Sequence, residues 1–138
     1  MEDCIFCRII KNEIPCHKIY EDDNVMAILD IKPATKHGGH ILVLPREHFN
    51  LITDVPDYLL MKIILVIKKL SKVLLKFSEG LNILQNNKEA AGQSLPHVHF
   101  HLIPRFKGDN VRVEKWDMNE YKSGEAEKVT SKIKSLLK

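Results

Sequence analysis

A chain of 138 residues with 44% hydrophobic side chains is long enough to bury one ordinary core. Its 21 basic and 18 acidic residues leave a formal charge of +3, too slight to demand a polyanion, so a nucleic-acid partner is not expected. The most apolar stretch, Tyr58 to Ile67, is interrupted by Lys62 and followed by Lys68 and Lys69, well short of the ~20 apolar residues of a membrane span.

The chain opens Met1-Glu2-Asp3-Cys4, acidic where a secretory signal carries basic residues, which suggests a cytoplasmic protein. Residues 4 to 10 read as a short apolar turn of helix, and Lys18 to Tyr20 with Val25 to Ile31 as a hairpin around Asp22-Asp23-Asn24. The run His40-Ile41-Leu42-Val43-Leu44-Pro45 follows Gly38-Gly39 and stops at a proline, the pattern of a third strand. Asp54 can cap, and Pro56 start, a long helix to about Ser78, with Leu60, Ile63, Ile64, Ile67, Leu70 and Leu74 at helical spacing. Lys62, Lys69 and Lys76 recur every seventh position there and predict a solvated face.

Leu81 to Asn86 reads as a fourth strand, a polar loop fills Asn87 to Ser94, and a fifth strand is expected at Pro96 to Ile103. Ser123 to Lys138 suits an amphipathic helix carrying Val129, Ile133 and Leu136. No repeat or flexible linker divides the chain, so one domain is expected, α+β in class, with an antiparallel sheet of five strands and one long helix.

In the fifth strand His97, His99 and His101 alternate with Val98, Phe100 and Leu102. Period two places the three imidazoles on one face, about 6.5 to 7 Å apart, with His99 in the middle. Buried imidazoles each need a hydrogen-bond partner, so a row of three points to chemistry or to a metal rather than to structure alone. A neutral imidazole is a competent nucleophile near neutral pH once a hydrogen bond on one nitrogen aims the other. Just upstream, Gly92, Gln93 and Ser94 offer close backbone approach and donors to phosphate oxygens. Together these favour His99 attacking phosphorus, its neighbours donating to phosphate oxygens or the leaving group.

Three cysteines in such a chain argue for thiols that are free or metal-bound. Cys4-x-x-Cys7 with His48 suits tetrahedral zinc, and two apolar thiols packed beside Phe6 are the alternative. Cys16 has no evident partner, and His17 and His37 read as surface residues.

Gly92-Gln93-Ser94-Leu95-Pro96-His97-Val98-His99-Phe100-His101-Leu102-Ile103-Pro104-Arg105 resembles the signature of the histidine-triad (HIT) proteins. The likeness extends through Ile5 to Ile10, Asp30-Ile31, Gly39 to Pro45 and Asn86, a core of residues 4 to 105 with an extension at 106 to 138. It is nearest the Hint branch, in its bacterial form with an N-terminal cysteine pair.

The resemblance implies nucleotidyl transfer to His99 from purine nucleoside phosphoramidates or related conjugates, then hydrolysis to an AMP-like product. It implies that Gly92, Ser94 and His101 contact the α-phosphate, with Gln93 nearby and Asn86 positioning phosphate or ribose. Phe6, Ile9, Ile28, Asp30, Ile31 and Leu42 would line the nucleoside pocket, Asp30 on the ribose hydroxyls. It also implies a homodimer joining two sheets, and a structural zinc on Cys4, Cys7, His48 and His97, none being required for the chemistry. His97 is then a candidate both as metal ligand and as catalytic residue, and His40 is a supporting catalytic candidate. In relatives lacking the cysteine pair the residue matching His40 meets the first triad histidine.

Three other functions stay open on these residues. Pro104-Arg105-Phe106-Lys107-Gly108-Asp109 resembles the Fhit branch, which cleaves dinucleoside polyphosphates. A non-catalytic nucleotide-binding scaffold and metal-dependent hydrolysis by histidine ligands are the remaining alternatives.

Overall fold

The computed structural model describes residues 3–113 and 115–137. Its elements are α1 (Ile5–Ile10), β1 (Lys18–Glu21), β2 (Val25–Leu29), β3 (Ile41–Pro45), α2 (Asp57–Leu74), β4 (Gly80–Gln85), β5 (Phe100–Arg105) and α3 (Glu125–Leu136). The strands form one antiparallel sheet in the order β1-β2-β3-β5-β4. The expected class, strand number and long helix are all present.

Alternation along the strands sends side chains to two cores. Val25, Ala27, Ile41, Val43, Val98, Phe100 and Leu102 pack against Leu59, Ile63, Val66, Ile67, Leu70 and Leu74 of α2. On the opposite face Met26, Ile28, Leu42 and Leu44 pack with Phe6 and Ile9 of α1 and with Cys4. The N-terminal helix thus covers the face that carries the histidines. Cys16 joins this second core as a packed apolar thiol.

Several limits differ from expectation. The fifth strand begins at Phe100 rather than Pro96 and runs on to Arg105. In the β3–β5 register Val43 faces Phe100, so Pro45 would face Val98, and a proline has no N–H to extend the ladder. The main chain there turns to other partners: Val98 N–H donates to the Phe49 carbonyl at 2.7 Å and His97 N–H to the Leu95 carbonyl at 2.8 Å. The alternation survives without the strand, because Val98 stays in the α2-facing core while His97 and His99 face α1.

The long helix starts behind Pro56 as its N-cap and stops at Leu74, short of Ser78, in a tightening turn closed by Lys76 N–H on the Val73 carbonyl. Asp54 caps nothing there. It lies in a preceding 3-10 turn, where its carboxylate accepts the Leu51 N–H. Lys62, Lys69 and Lys76 are exposed as expected, with the Lys69 ammonium 5.3 Å from the centre of the Tyr20 ring. The tail helix α3 forms, and its Val129, Ile133 and Leu136 find no cover within the described chain.

Candidate active site and metal cluster

Every ring in the row has its tautomer set by a neighbour. The His99 Nδ1–H donates to the His97 main-chain carbonyl at 2.7 Å, which leaves the Nε2 lone pair free. Phe6 from α1 packs edge-on against that ring at 5.0 Å, holding it from the far side. Burial keeps His99 below the ordinary imidazole range, opposed by its bond to the His97 carbonyl and by Asp30. The middle ring is therefore neutral near pH 7, oriented, and presents a nitrogen nucleophile.

His101 lies next along the row, its ring centre 5.0 Å from that of His99. Its partner is His40, immediately before β3. The His40 Nδ1 accepts the Ala34 N–H at 3.0 Å, so Nε2 carries the hydrogen and donates it to His101 Nδ1 at 2.9 Å. The remaining His101 nitrogen, Nε2, is then an N–H donor. Asp30 stands behind this pair, a carboxylate oxygen 3.7 Å from His40 Nε2. Burial, with His99 and His40 as neighbours, pushes the His101 pKa down to about 4, and burial lowers His40 as well. Asp30, His40 and His101 are close enough to hold an ion, yet the two nitrogens facing each other already share a hydrogen.

His40 thus meets the third histidine of the row, not the first. The register decides this: Leu42 faces His101 across β3 and β5, and His40 shares the Leu42 face one step away.

His97 belongs to a different cluster. Its Nε2–H donates to the Pro45 carbonyl at 2.9 Å, leaving the Nδ1 lone pair directed at the thiols, 3.4 Å from Cys4 Sγ and 3.6 Å from Cys7 Sγ. His48 mirrors it. Its Nε2–H donates to Asn50 Oδ1 at 2.8 Å and its Nδ1 lies 3.2 Å from Cys7 Sγ. All four ligand atoms fall within 4.8 Å of one another. A tetrahedral zinc spaces sulfur and nitrogen ligands about 3.5 Å apart, so donor set and spacing both fit. The carbonyl and amide that fix the two rings are the outer partners such ligands need. Burial and the adjacent Cys4 raise the Cys7 thiol, so a cation must displace a proton to bind. Burial also pushes His97 down to about 4.

Four rings therefore hold protons more weakly in the folded chain than in the unfolded one. Their contribution to stability is intact above the ordinary value of 6.5 and is lost as pH falls from there toward about 4, where the unfolded chain binds the extra protons. Urea midpoints should fall steadily through that window, with or without a chelator present. A flat profile would contradict the burial of these rings.

The loop between β4 and β5 completes the setting. Gly92 adopts φ +87°, a left-handed conformation that suits glycine, and a Cβ there would lie 3.7 Å from Asn86 Nδ2. Gly92 and Ser94 are exposed and Asn86 is half-buried. Gln93 departs from the expectation of a phosphate donor. Its Nε2 donates to the Asn50 carbonyl at 2.7 Å and the Leu95 carbonyl at 3.1 Å, and its Oε1 accepts the Lys88 N–H at 2.7 Å. The whole amide is committed to main-chain groups of Lys88, Leu95 and Asn50. Of the nucleoside-pocket candidates, Phe6, Ile9, Ile28 and Leu42 share the second core, Asp30 sits beside it, and Ile31 is 75% exposed. His17 and His37 are on the surface, with His37 stacked 4.0 Å from Phe106. Sequence reasoning missed Asn50, Pro45 and Ala34. Two of these act through main-chain groups, which leave no mark in a sequence.

Residues 11–108 match the model of the HIT domain. The chain belongs to the HIT family. This HIT protein is 44% identical over 108 residues to an adenosine 5'-monophosphoramidase of Candida albicans, covering 74% of this chain and 70% of that one. Among solved structures, a HIT family member from Bacillus subtilis superposes with a TM-score of 0.87 at 36% identity, covering 96% of each chain. A zinc-bound histidine-triad protein from Mycobacterium smegmatis superposes with a TM-score of 0.74 at 34% identity, covering 86% of this chain and 85% of that one. HIT relatives named for nucleotide hydrolysis support a nucleotide hydrolase here.

Proposed function

We propose that this HIT protein cleaves purine nucleoside phosphoramidates and related nucleotide conjugates through a nucleotidyl-His99 intermediate. The observation that carries this reading is the pairing of a buried, neutral His99 whose Nδ1–H is held at 2.7 Å with a neighbouring His101 whose donor hydrogen is on Nε2. His99 Nε2 forms a bond to the α-phosphorus while the P–N bond breaks. The electron pair goes to the departing amine, which takes up a proton from solvent. His101 Nε2–H, with Gly92 and Ser94, stabilises charge on the phosphoryl oxygens, and Asp30 receives the ribose hydroxyls. Water then attacks the phosphorus, releasing AMP and restoring His99. The Candida albicans relative, named as an adenosine monophosphoramidase, supports this choice of substrate.

Quenching a reaction with adenosine 5'-phosphoramidate within one turnover should trap protein heavier by one adenylyl group, mapped by fragmentation to His99. Turnover with no adduct on any timescale would count against the covalent route.

The Cys4, Cys7, His48 and His97 cluster is proposed to hold a structural zinc, on its donor set and spacing. Zinc would cross-link α1 to the segments after β3 and before β5, and His97 would take no part in proton transfer. A homodimer is proposed as well. It rests on the family resemblance, the edge position of β4, and an apolar groove of 560 Å³ lined by Ile52, Asp57, Leu60, Met61, Ile64 and Phe100, where Met61 and Ile64 are exposed. Met61→Glu should halve the mass seen by light scattering, and a wild-type protein that runs as a monomer at high concentration would dismiss the dimer. The domain is read as a core at 4–105 with an extension at 106–138.

A further inference from the structure

The loop after β4 carries a conformation that asks for an explanation. Lys88 sits at φ 70° and ψ 165°, a region essentially confined to glycine. Such a residue keeps that shape only where its surroundings over-determine it. Here the Lys88 N–H donates to Gln93 Oε1 at 2.7 Å, and the Lys88 carbonyl accepts the N–H groups of Ala91 at 3.2 Å and Gln93 at 3.1 Å.

Gln93 in turn is anchored outside the loop. Its Nε2 donates to the carbonyl of Asn50, whose own side chain accepts the His48 Nε2–H. A second tie runs alongside, from the Ile52 N–H to Asn87 Oδ1 at 2.9 Å. One short path therefore joins the Cys4, Cys7, His48 and His97 cluster to the loop that flanks the reacting histidines.

We propose that Gln93 is a latch, a positioning residue through which occupancy of the metal cluster keeps the loop 86–94 in its strained, working form. A cation on His48 Nδ1 fixes that ring, the ring fixes Asn50, and Asn50 holds the Gln93 amide against Lys88. When the cluster is empty the Nδ1 side of His48 keeps only the weak Cys7 thiol contact at 3.2 Å, the latch loosens, and Lys88 relaxes to an ordinary negative φ. The strained residue supplies the two-state element that coupling between separated sites requires. What the loop does when held, donate to a nucleotide phosphate, rests on the function proposed above.

The test is amide hydrogen exchange on the full chain, zinc-loaded and after stripping with a chelator. Stripping should speed exchange in 86–94 by about tenfold, the scale of one or two lost hydrogen bonds. Gln93→Met should show the same fast exchange while still loaded, α2 staying protected, with stripping adding little. By reciprocity, zinc affinity in Gln93→Met, read by competition with a chromophoric chelator, falls by no more than that same factor of about ten. Lys88→Gly, which removes the strain, should shrink the effect of stripping to under about threefold.

Loop protection indifferent to stripping, or to Gln93→Met in the loaded protein, overturns the proposal, as does a chain that takes up no zinc. Calorimetric titration with AMP separates this from the functional reading. A wild-type protein that binds no AMP defeats the nucleotide assignment, whereas the exchange result judges the latch alone.

Discussion

His99→Ala is expected to cut turnover of adenosine 5'-phosphoramidate by at least about 10⁴-fold while AMP affinity changes only a few-fold. The size of the effect follows from the absence of a deputy. His97 turns its one lone pair toward the thiols, and the His101 Nδ1 is already accepting from His40. Neither ring can offer phosphorus a free nitrogen without breaking its own contacts. The proposed binding groups, by contrast, lie elsewhere: Asp30 beside β2, Gly92 and Ser94 in the loop, Phe6 and Ile9 in α1. Loss should therefore fall on the chemical step, visible as a collapse of the single-turnover rate with no adduct trapped. A variant within about tenfold of wild type would remove His99 as nucleophile.

Losing the proposed zinc is expected to lower the thermal midpoint by roughly 10 °C. A ligand present at a thousandfold over its dissociation constant, binding only the folded chain, contributes about 4 kcal/mol. For a domain of this size each kcal/mol moves the midpoint by about 2 to 4 °C. The fold is not expected to collapse, because the α2-facing core is independent of the cluster and α1 is also held by Phe6 and Ile9. Thermal unfolding with and without chelator measures the shift. Cys4→Ser with Cys7→Ser should sit at the stripped value and ignore the chelator. Identical midpoints for a protein carrying one zinc per chain and the same protein stripped would rule out a structural role.

Much of this arrangement was legible before any fold was known, for particular reasons. Alternation from His97 to Leu102 is a local property, so the separation of imidazoles from apolar partners could be read directly, and it holds even where the regular strand does not. The start of that strand could not be read, because it is set by Pro45 on a neighbouring strand that cannot continue the ladder. The partner of His40 was out of reach for a similar reason: which histidine it meets depends on the register between β3 and β5. Donors and acceptors belonging to the main chain, such as the Ala34 N–H and the Pro45 carbonyl, have no residue type to announce them. A glutamine beside a glycine and a serine offers an amide to phosphate, and the fold spends that amide on main-chain groups at 50, 88 and 95.

The bond that orients His99 comes from the carbonyl of residue 97, a group every amino acid possesses. The side chain at 97 serves the thiols while its backbone serves the nucleophile. A side-chain substitution at 97 would therefore remove one thiol-facing ligand and leave in place the carbonyl that aims His99. The aim of the ring thus depends on the main chain at 97, while the cluster reaches the site only through the loop.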